Sequence, residues 1–149
     1  QLVIGGEKAA VDKAAELAKQ AGARRCIPLK VSGPFHTRLM APAGDALARR
    51  FAAESFGEMS VPVLFNCLGR EKAESDSIPA LLVRQVQSSV YMEDTLHRLD
   101  ELGVDHILEV GPGNALSGFV KKTLPGVTCV SVETPAQLDT VLNAWKEEQ

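Results

Sequence analysis

Several things this sequence lacks narrow it first. It has no excess of positive charge: 16 Lys and Arg stand against 19 Asp and Glu, a net charge of -3 with a pI near 5.6. Binding a phosphate backbone needs a clustered positive surface, so the balance argues against a nucleic-acid partner. The pairs Arg24-Arg25, Arg49-Arg50 and Lys121-Lys122 are too short to alter that. No apolar run approaches the roughly 20 residues of a membrane span, and no membrane partner is expected. Cysteine is scarce. Cys26, Cys67 and Cys129 are an odd number, lie far apart and each sits in an apolar run. They read as reduced core residues of a cytoplasmic protein rather than as a disulfide framework, and no Cys or carboxylate spacing joins a histidine into a metal site.

Two sequence devices are also missing. Acyl transfer through an enzyme nucleophile commonly uses a tight strand-to-helix turn of the form G-x-S-x-G, and none occurs here. Ser117 in Leu116-Ser117-Gly118 is the nearest imitation, but it falls within a helix, where packing or a local back-bond is the expected role. A dinucleotide loop needs G-x-G-x-x-G; after Gly111-Pro112-Gly113 the third glycine position is Leu116. A tight structural turn is the simpler reading of that loop. Glu109, just before it, could serve a site or pair with a surface lysine.

What is present is an ordinary globular composition: 149 residues, 45% apolar and 23% charged, enough for a core of typical domain size. The chain opens on Gln1-Leu2-Val3-Ile4, inside a strand with no turn, cap or initiator Met, so further protein is expected ahead of it. Gly5-Gly6 turns the chain. Ala10, Ala14, Leu17, Ala18 and Ala21 then mark one face of a helix from about Glu7 to Ala21, stopped by Gly22. Arg25 to Leu29 reads as a second strand, edge-placed by Pro28. Leu39, Ala43, Leu47 and Phe51 stripe a helix over about 39 to 53. Val61 to Cys67 is nearly continuously apolar, as in a parallel-sheet strand covered on both faces. Gly69 to Ser77 reads as a polar surface crossing. Helices follow over 78–86 and 89–102, a strand over 106–110, a short helix over 115–122 and a strand over 128–132. A closing helix is striped by Leu138, Val141, Leu142 and Trp145. Strands alternating with helices predict an α/β protein with a parallel, helix-covered sheet from Val61 onward.

The stretch of greatest chemical interest is Val31-Ser32-Gly33-Pro34-Phe35-His36-Thr37. Gly33 and Pro34 break regular structure and display His36 on a turn. An imidazole titrates near neutrality, so it can take a proton from a hydroxyl and return it to a leaving group in one cycle. His36 therefore reads as a catalytic base or as an ordinary loop histidine. Gln85 lies near a helix end, where main-chain carbonyls lack internal partners, so its carbonyl could orient a histidine Nδ1–H or its side chain could simply face water. His97, beside Glu93 and Arg98, reads as solvated; His106 opens a strand after Asp105.

Together these stretches resemble the C-terminal half of the bacterial malonyl-CoA:acyl-carrier-protein transacylases. The likeness runs through Gln1-Leu2-Val3-Ile4-Gly5-Gly6, Ile27 to His36, Pro62-Val63-Leu64-Phe65-Asn66, Leu82-Val83-Arg84-Gln85 and Glu109 to Gly118. No single motif carries it; their order and spacing do. The resemblance implies the returning half of an α/β-hydrolase-like parallel-sheet domain, residues 31–149, preceded by the tail of an inserted ferredoxin-like subdomain, residues 1–30. It implies transfer of a malonyl group from coenzyme A to the phosphopantetheine thiol of acyl carrier protein through a serine-bound acyl-enzyme, the thioester being substrate rather than resident cofactor. His36 matches the family's general base and acid, and Gln85 the residue whose main-chain carbonyl orients it. Phe35 matches the bulky neighbour associated with malonyl preference, since an α-methyl would meet its ring. Tyr91 stands where many relatives have tryptophan, a packing variant. The serine, the arginine receiving the malonyl carboxylate and the oxyanion donors belong to the family's N-terminal half, so this polypeptide alone is expected to be inactive. Three alternatives stay open: a polyketide-type malonyltransferase, a nucleotide-binding module with Glu133 as the only ribose-binding candidate, and a non-catalytic carrier-docking module using Arg38, Arg49 and Arg50.

Overall fold

The computed structural model describes residues 1–147 of the chain, which form two compact units divided between Tyr91 and Met92. In the first unit, helix α1 spans Lys8–Gln20. Gly22 (φ 96°) ends it, and the Ala23 N–H returns to the Ala18 carbonyl at 2.9 Å, closing the helix end as a glycine after the last turn allows. Its inward face is Val11, Ala14, Ala15 and Ala18, while Ala10, Leu17 and Ala21 are exposed, so the stripe lies slightly rotated from the expected one. The reason lies in what it packs on: Cys26 comes back against it, its thiol donating to the Ala15 carbonyl at 3.5 Å.

Neither flanking segment forms the strand expected of it. Residues 2–4 and 25–29 belong to no helix or strand, because among the described residues no other strand runs beside them and a strand exists only through its ladder. Apart from Cys26 their side chains stay in solvent, Leu2 at 90% and Ile27 at 70% exposure.

The next helix is α2, Ala41–Phe51, entered through a 3₁₀ turn at Arg38–Met40. Ala43, Leu47 and Phe51 are half-buried along its inner stripe and Gly44 is buried. The apolar run at 61–67 yields only strand β1, Leu64–Phe65, and this pairs antiparallel with β2, Arg70–Glu71, inside the supposed surface crossing. A parallel strand here is overturned by the turn after it. The Leu68 and Gly69 N–H groups both donate to the Phe65 carbonyl at 2.8 Å, and Gly69 takes φ 68°, folding the chain into a hairpin. Phe65 and Cys67 then bury against Leu81 of α3, Ile78–Gln87, with Leu68 and Leu82 around them. Ser77 caps α3 and α2 packs alongside it.

The second unit shows the expected alternation. Helix α4, Met92–Glu101, begins three residues later than its pattern suggested and ends at Gly103 (φ 71°). Strand β3, His106–Val110, runs parallel to β4, Thr128–Val132, with His106 opposite Thr128 and Val110 opposite Val132. Helix α5, Ala115–Thr123, makes the crossover that parallel pairing requires. Leu96, Val120 and Leu124 form the core, with Ile107, Phe119 and Cys129 packed on it. Helix α6, Pro135–Glu147, packs on β4, burying Val141 and partly burying Trp145, while Leu138 and Leu142 remain largely exposed. Among the described residues the parallel sheet is thus β3 and β4, not a sheet beginning at Val61. None of the described helices is long and apolar enough to cross a membrane.

Candidate active site

The turn that sequence singled out is built almost entirely by hydrogen bonds to main chain. Phe35 folds over Gly33, whose hydrogen faces the ring where a Cβ would stand 3.5 Å from it. His36 takes φ 61° and is, among the described residues, the one non-glycine in the left-handed region, a conformation that costs an L-residue energy and persists only when the surroundings enforce it. Thr37 enforces it from one side. Its hydroxyl donates to the Pro34 carbonyl at 2.7 Å and accepts from the Leu39 N–H at 3.3 Å, capping the 3₁₀ turn into α2.

Helix α3 enforces it from the other side. Its last-turn carbonyls have no partner within the helix, and two of them are spent on His36. The His36 N–H donates to the Val86 carbonyl at 3.2 Å, and its Nδ1 lies 3.1 Å from the Gln85 carbonyl oxygen. A carbonyl only accepts, so Nδ1 carries the proton and Nε2 is left with a lone pair, the form a general base needs. The ring is exposed, as is half of the Phe35 side chain. The contact between His36 and the Gln85 carbonyl that the family resemblance implied is present, while the residues alone had left both roles open. It assigned nothing to Thr37 or Val86. A threonine directly before a helix was a readable cap signal; the Val86 carbonyl had none.

The glycine-rich loop of the second unit is a different construction. Glu109 accepts from the Leu116 N–H at 3.0 Å and the Ser117 N–H at 2.8 Å, so it supplies from β3 the anion that the start of α5 attracts. The Ser117 hydroxyl donates to the same carboxylate at 2.6 Å, and Ser131 completes the cluster. Ser117's hydroxyl and N–H foremost, with Leu116 N–H and Ser131, hold the Glu109 carboxyl below its usual range against a smaller opposing effect of desolvation. Ser117 is buried in this network and packs rather than reacts. Glu133 accepts from the Gly113 N–H at 2.7 Å. The amides a phosphate would need are therefore taken by two carboxylates, which also repel an anion, and the nucleotide reading loses its site. Glu133 holds the loop closed in place of binding a ribose. At the far end of β3, the His106 Nδ1 pairs with Asp105 at 2.9 Å, and that hydrogen bond and charge hold Asp105 below its usual range. Among the described residues no group of three or more His, Cys, Asp or Glu is arranged to hold a metal ion.

A histidine whose Nδ1 is bound by a helix-terminal carbonyl presents its other ring nitrogen for proton exchange. No family model matches the sequence. The malonyl CoA-acyl carrier protein transacylase of Bacillus subtilis is 38% identical over 148 residues, 99% of this chain and 47% of that protein. The crystal structure of its counterpart from Clostridium perfringens superposes with a TM-score of 0.88 at 38% identity, covering 96% of this chain and 45% of the other. A type II polyketide acyl-carrier protein in complex with its malonyl-transacylase gives 0.85 at 37% identity, covering 93% and 45%.

The proteins it resembles are acyltransferases of α/β-hydrolase-like architecture. More particularly, the chain is similar to the malonyl CoA-acyl carrier protein transacylases, and it spans about half the length of the curated relatives it matches.

Proposed function

We propose that this chain supplies the base-bearing half of a malonyltransferase that moves malonyl groups from coenzyme A to the phosphopantetheine thiol of acyl carrier protein. The observation that carries the reading is the 3.1 Å contact between His36 Nδ1 and the Gln85 carbonyl oxygen. With Nδ1 protonated, Nε2 takes the proton of a serine hydroxyl supplied by sequence outside this chain. The serine oxygen attacks the malonyl thioester, and the imidazolium returns the proton to the departing coenzyme A thiolate. In the second half-reaction the same nitrogen deprotonates the carrier thiol and re-protonates the serine. Phe35, beside the base, narrows the pocket against an α-methyl. The thioester is substrate, and no resident cofactor takes part. Residues 1–30 belong in this reading to a ferredoxin-like subdomain completed elsewhere, which accounts for the unpaired, exposed segments at 2–4 and 25–29. The reaction belongs to the cytoplasm, where reduced cysteines persist.

The test uses the joined protein, meaning this chain continuous with the remaining half that its relatives carry. His36→Ala lowers malonyl transfer from labelled malonyl-CoA to holo carrier protein by about 10²- to 10⁴-fold while carrier binding survives; transfer at the parent rate removes the reading. This chain alone gives no turnover. Assaying fatty-acid and polyketide carrier proteins in parallel separates the two pathways, a distinction prompted by the polyketide-type neighbour.

A further inference from the structure

We propose that Gly5 and Thr37 are a matched pair of positioning residues that hold the His36 turn in register, an inference that rests on His36 being the acyl-transfer base. Gly5 lies outside every helix and strand, and its φ lies outside the left-handed region, so its backbone does not call for glycine. Room calls for it. A Cβ built on Gly5 would stand 2.8 Å from Thr37 Cγ2 and 3.9 Å from the Phe35 carbonyl oxygen. Carbon atoms in contact sit roughly 3.5–4.0 Å apart, so an alanine would overlap the threonine methyl by most of an ångström.

Thr37 cannot turn out of the way. Its hydroxyl is committed at both ends, donating to Pro34 and accepting from Leu39, and rotating the side chain to move Cγ2 breaks both bonds. The overlap then bears on the backbone at residue 37, next to His36 with its φ of 61° and its two anchors on Gln85 and Val86. The methyl of Thr37 resting on the bare face of Gly5 is thus the backstop of the turn, and the hydroxyl is its latch. Neither touches substrate; both act through the orientation of the imidazole.

A substitution cycle in the joined protein reads this directly, with nitrogen chemical shifts of the His36 ring recorded beside kcat and KM. Gly5→Ala lowers kcat by about tenfold to a hundredfold with little change in KM for malonyl-CoA, as a base displaced by up to an ångström does, and it shifts the Nδ1 signal. Thr37→Ser keeps the hydroxyl and deletes Cγ2, so Gly5→Ala combined with Thr37→Ser restores both the ring signal and most of kcat. Thr37→Val keeps the bulk and loses the latch, and it perturbs the ring whether residue 5 is Gly or Ala. An unchanged ring signal and rate in Gly5→Ala overturns the pairing, and so does a double variant as impaired as Gly5→Ala alone. These outcomes are separate from the fate of the base: if His36→Ala transfers at the parent rate the acyl-transfer reading fails, whatever the ring shifts show, whereas a silent Gly5→Ala with an inactive His36→Ala removes only the pairing.

Discussion

Replacing His36 by glycine and by alanine sets strain against hydrogen bonding at one position. Alanine loses the Nδ1 contact with Gln85, 3.1 Å long and exposed to water, which is worth about 1 kcal/mol net. It keeps the left-handed φ of 61°, and with it a strain of about 1–2 kcal/mol for an L-residue. Glycine loses the same contact but relieves the strain. Against that, glycine's freer unfolded chain costs about 0.4–1 kcal/mol. The difference leaves His36→Gly more stable than His36→Ala by about 0.8 kcal/mol at the middle of these ranges, and close to the parent. Urea unfolding of the joined protein and its two variants at constant m-value measures this, and both variants are inactive in transfer. A glycine variant no more stable than the alanine variant refutes the claim that the turn holds its histidine under strain. The expected variant, as stable as the parent and catalytically dead, is the signature of a site where backbone comfort has been given up to aim a ring.

Two further outcomes test the scaffold. Glu109 has its folded-state pKa lowered, so its stabilisation is present above the unfolded-state pKa near 4.3 and is lost as pH falls through the lower folded value; the melting-temperature gap between parent and Glu109→Gln is therefore widest near neutrality and closes in acid, and a gap constant from neutral to strongly acidic pH contradicts it. At Gly44, buried in α2, a Cβ would lie 2.8 Å from Gln87 Nε2 and 3.6 Å from the Val83 carbonyl; Gly44→Val costs about 1–3 kcal/mol by overpacking and lowers kcat by displacing the last turn of α3, whereas Gly44→Ala does less, since the glutamine end can swing aside, and a valine variant with the parent's urea midpoint is the opposing result.

Much of the site was readable because it rests on local chemistry. Gly33 and Pro34 break the chain where the structure turns, and the end of a helix guarantees spare carbonyls, so a displayed His36 and a free Gln85 carbonyl were each readable locally; joining them across 49 residues came from the family resemblance. The β3–α5–β4 alternation was legible for the same reason: periodicity reports local burial. Strands elsewhere were misread because a strand is a relation between segments. Residues 2–4 and 25–29 carry apolar patterns but find no ladder among the described residues, and the run at 61–67 is diverted by Gly69 into a hairpin that hydropathy does not register. Glu109 and Glu133 were visible as carboxylates only; that each would close on loop amides depends on register between β3, β4 and α5, which composition does not encode.

His36 and His106 both have a bound Nδ1, but their partners differ in kind. His106 faces the carboxylate of Asp105, and the hydrogen bond and charge between them hold that carboxyl below its usual range. His36 faces a carbonyl, which fixes the tautomer and the ring plane without contributing a full negative charge. For the proposed base, which accepts and surrenders a proton in each half-reaction, a neutral acceptor of this kind fixes the aim of the ring. The helix end provides that acceptor with no side chain required, and a second carbonyl one residue on binds the histidine's own backbone. Aim and tautomer are thereby set by main chain alone, so the imidazole's geometry depends on how α3 packs and on how the 34–37 turn is latched rather than on any one polar side chain facing the ring.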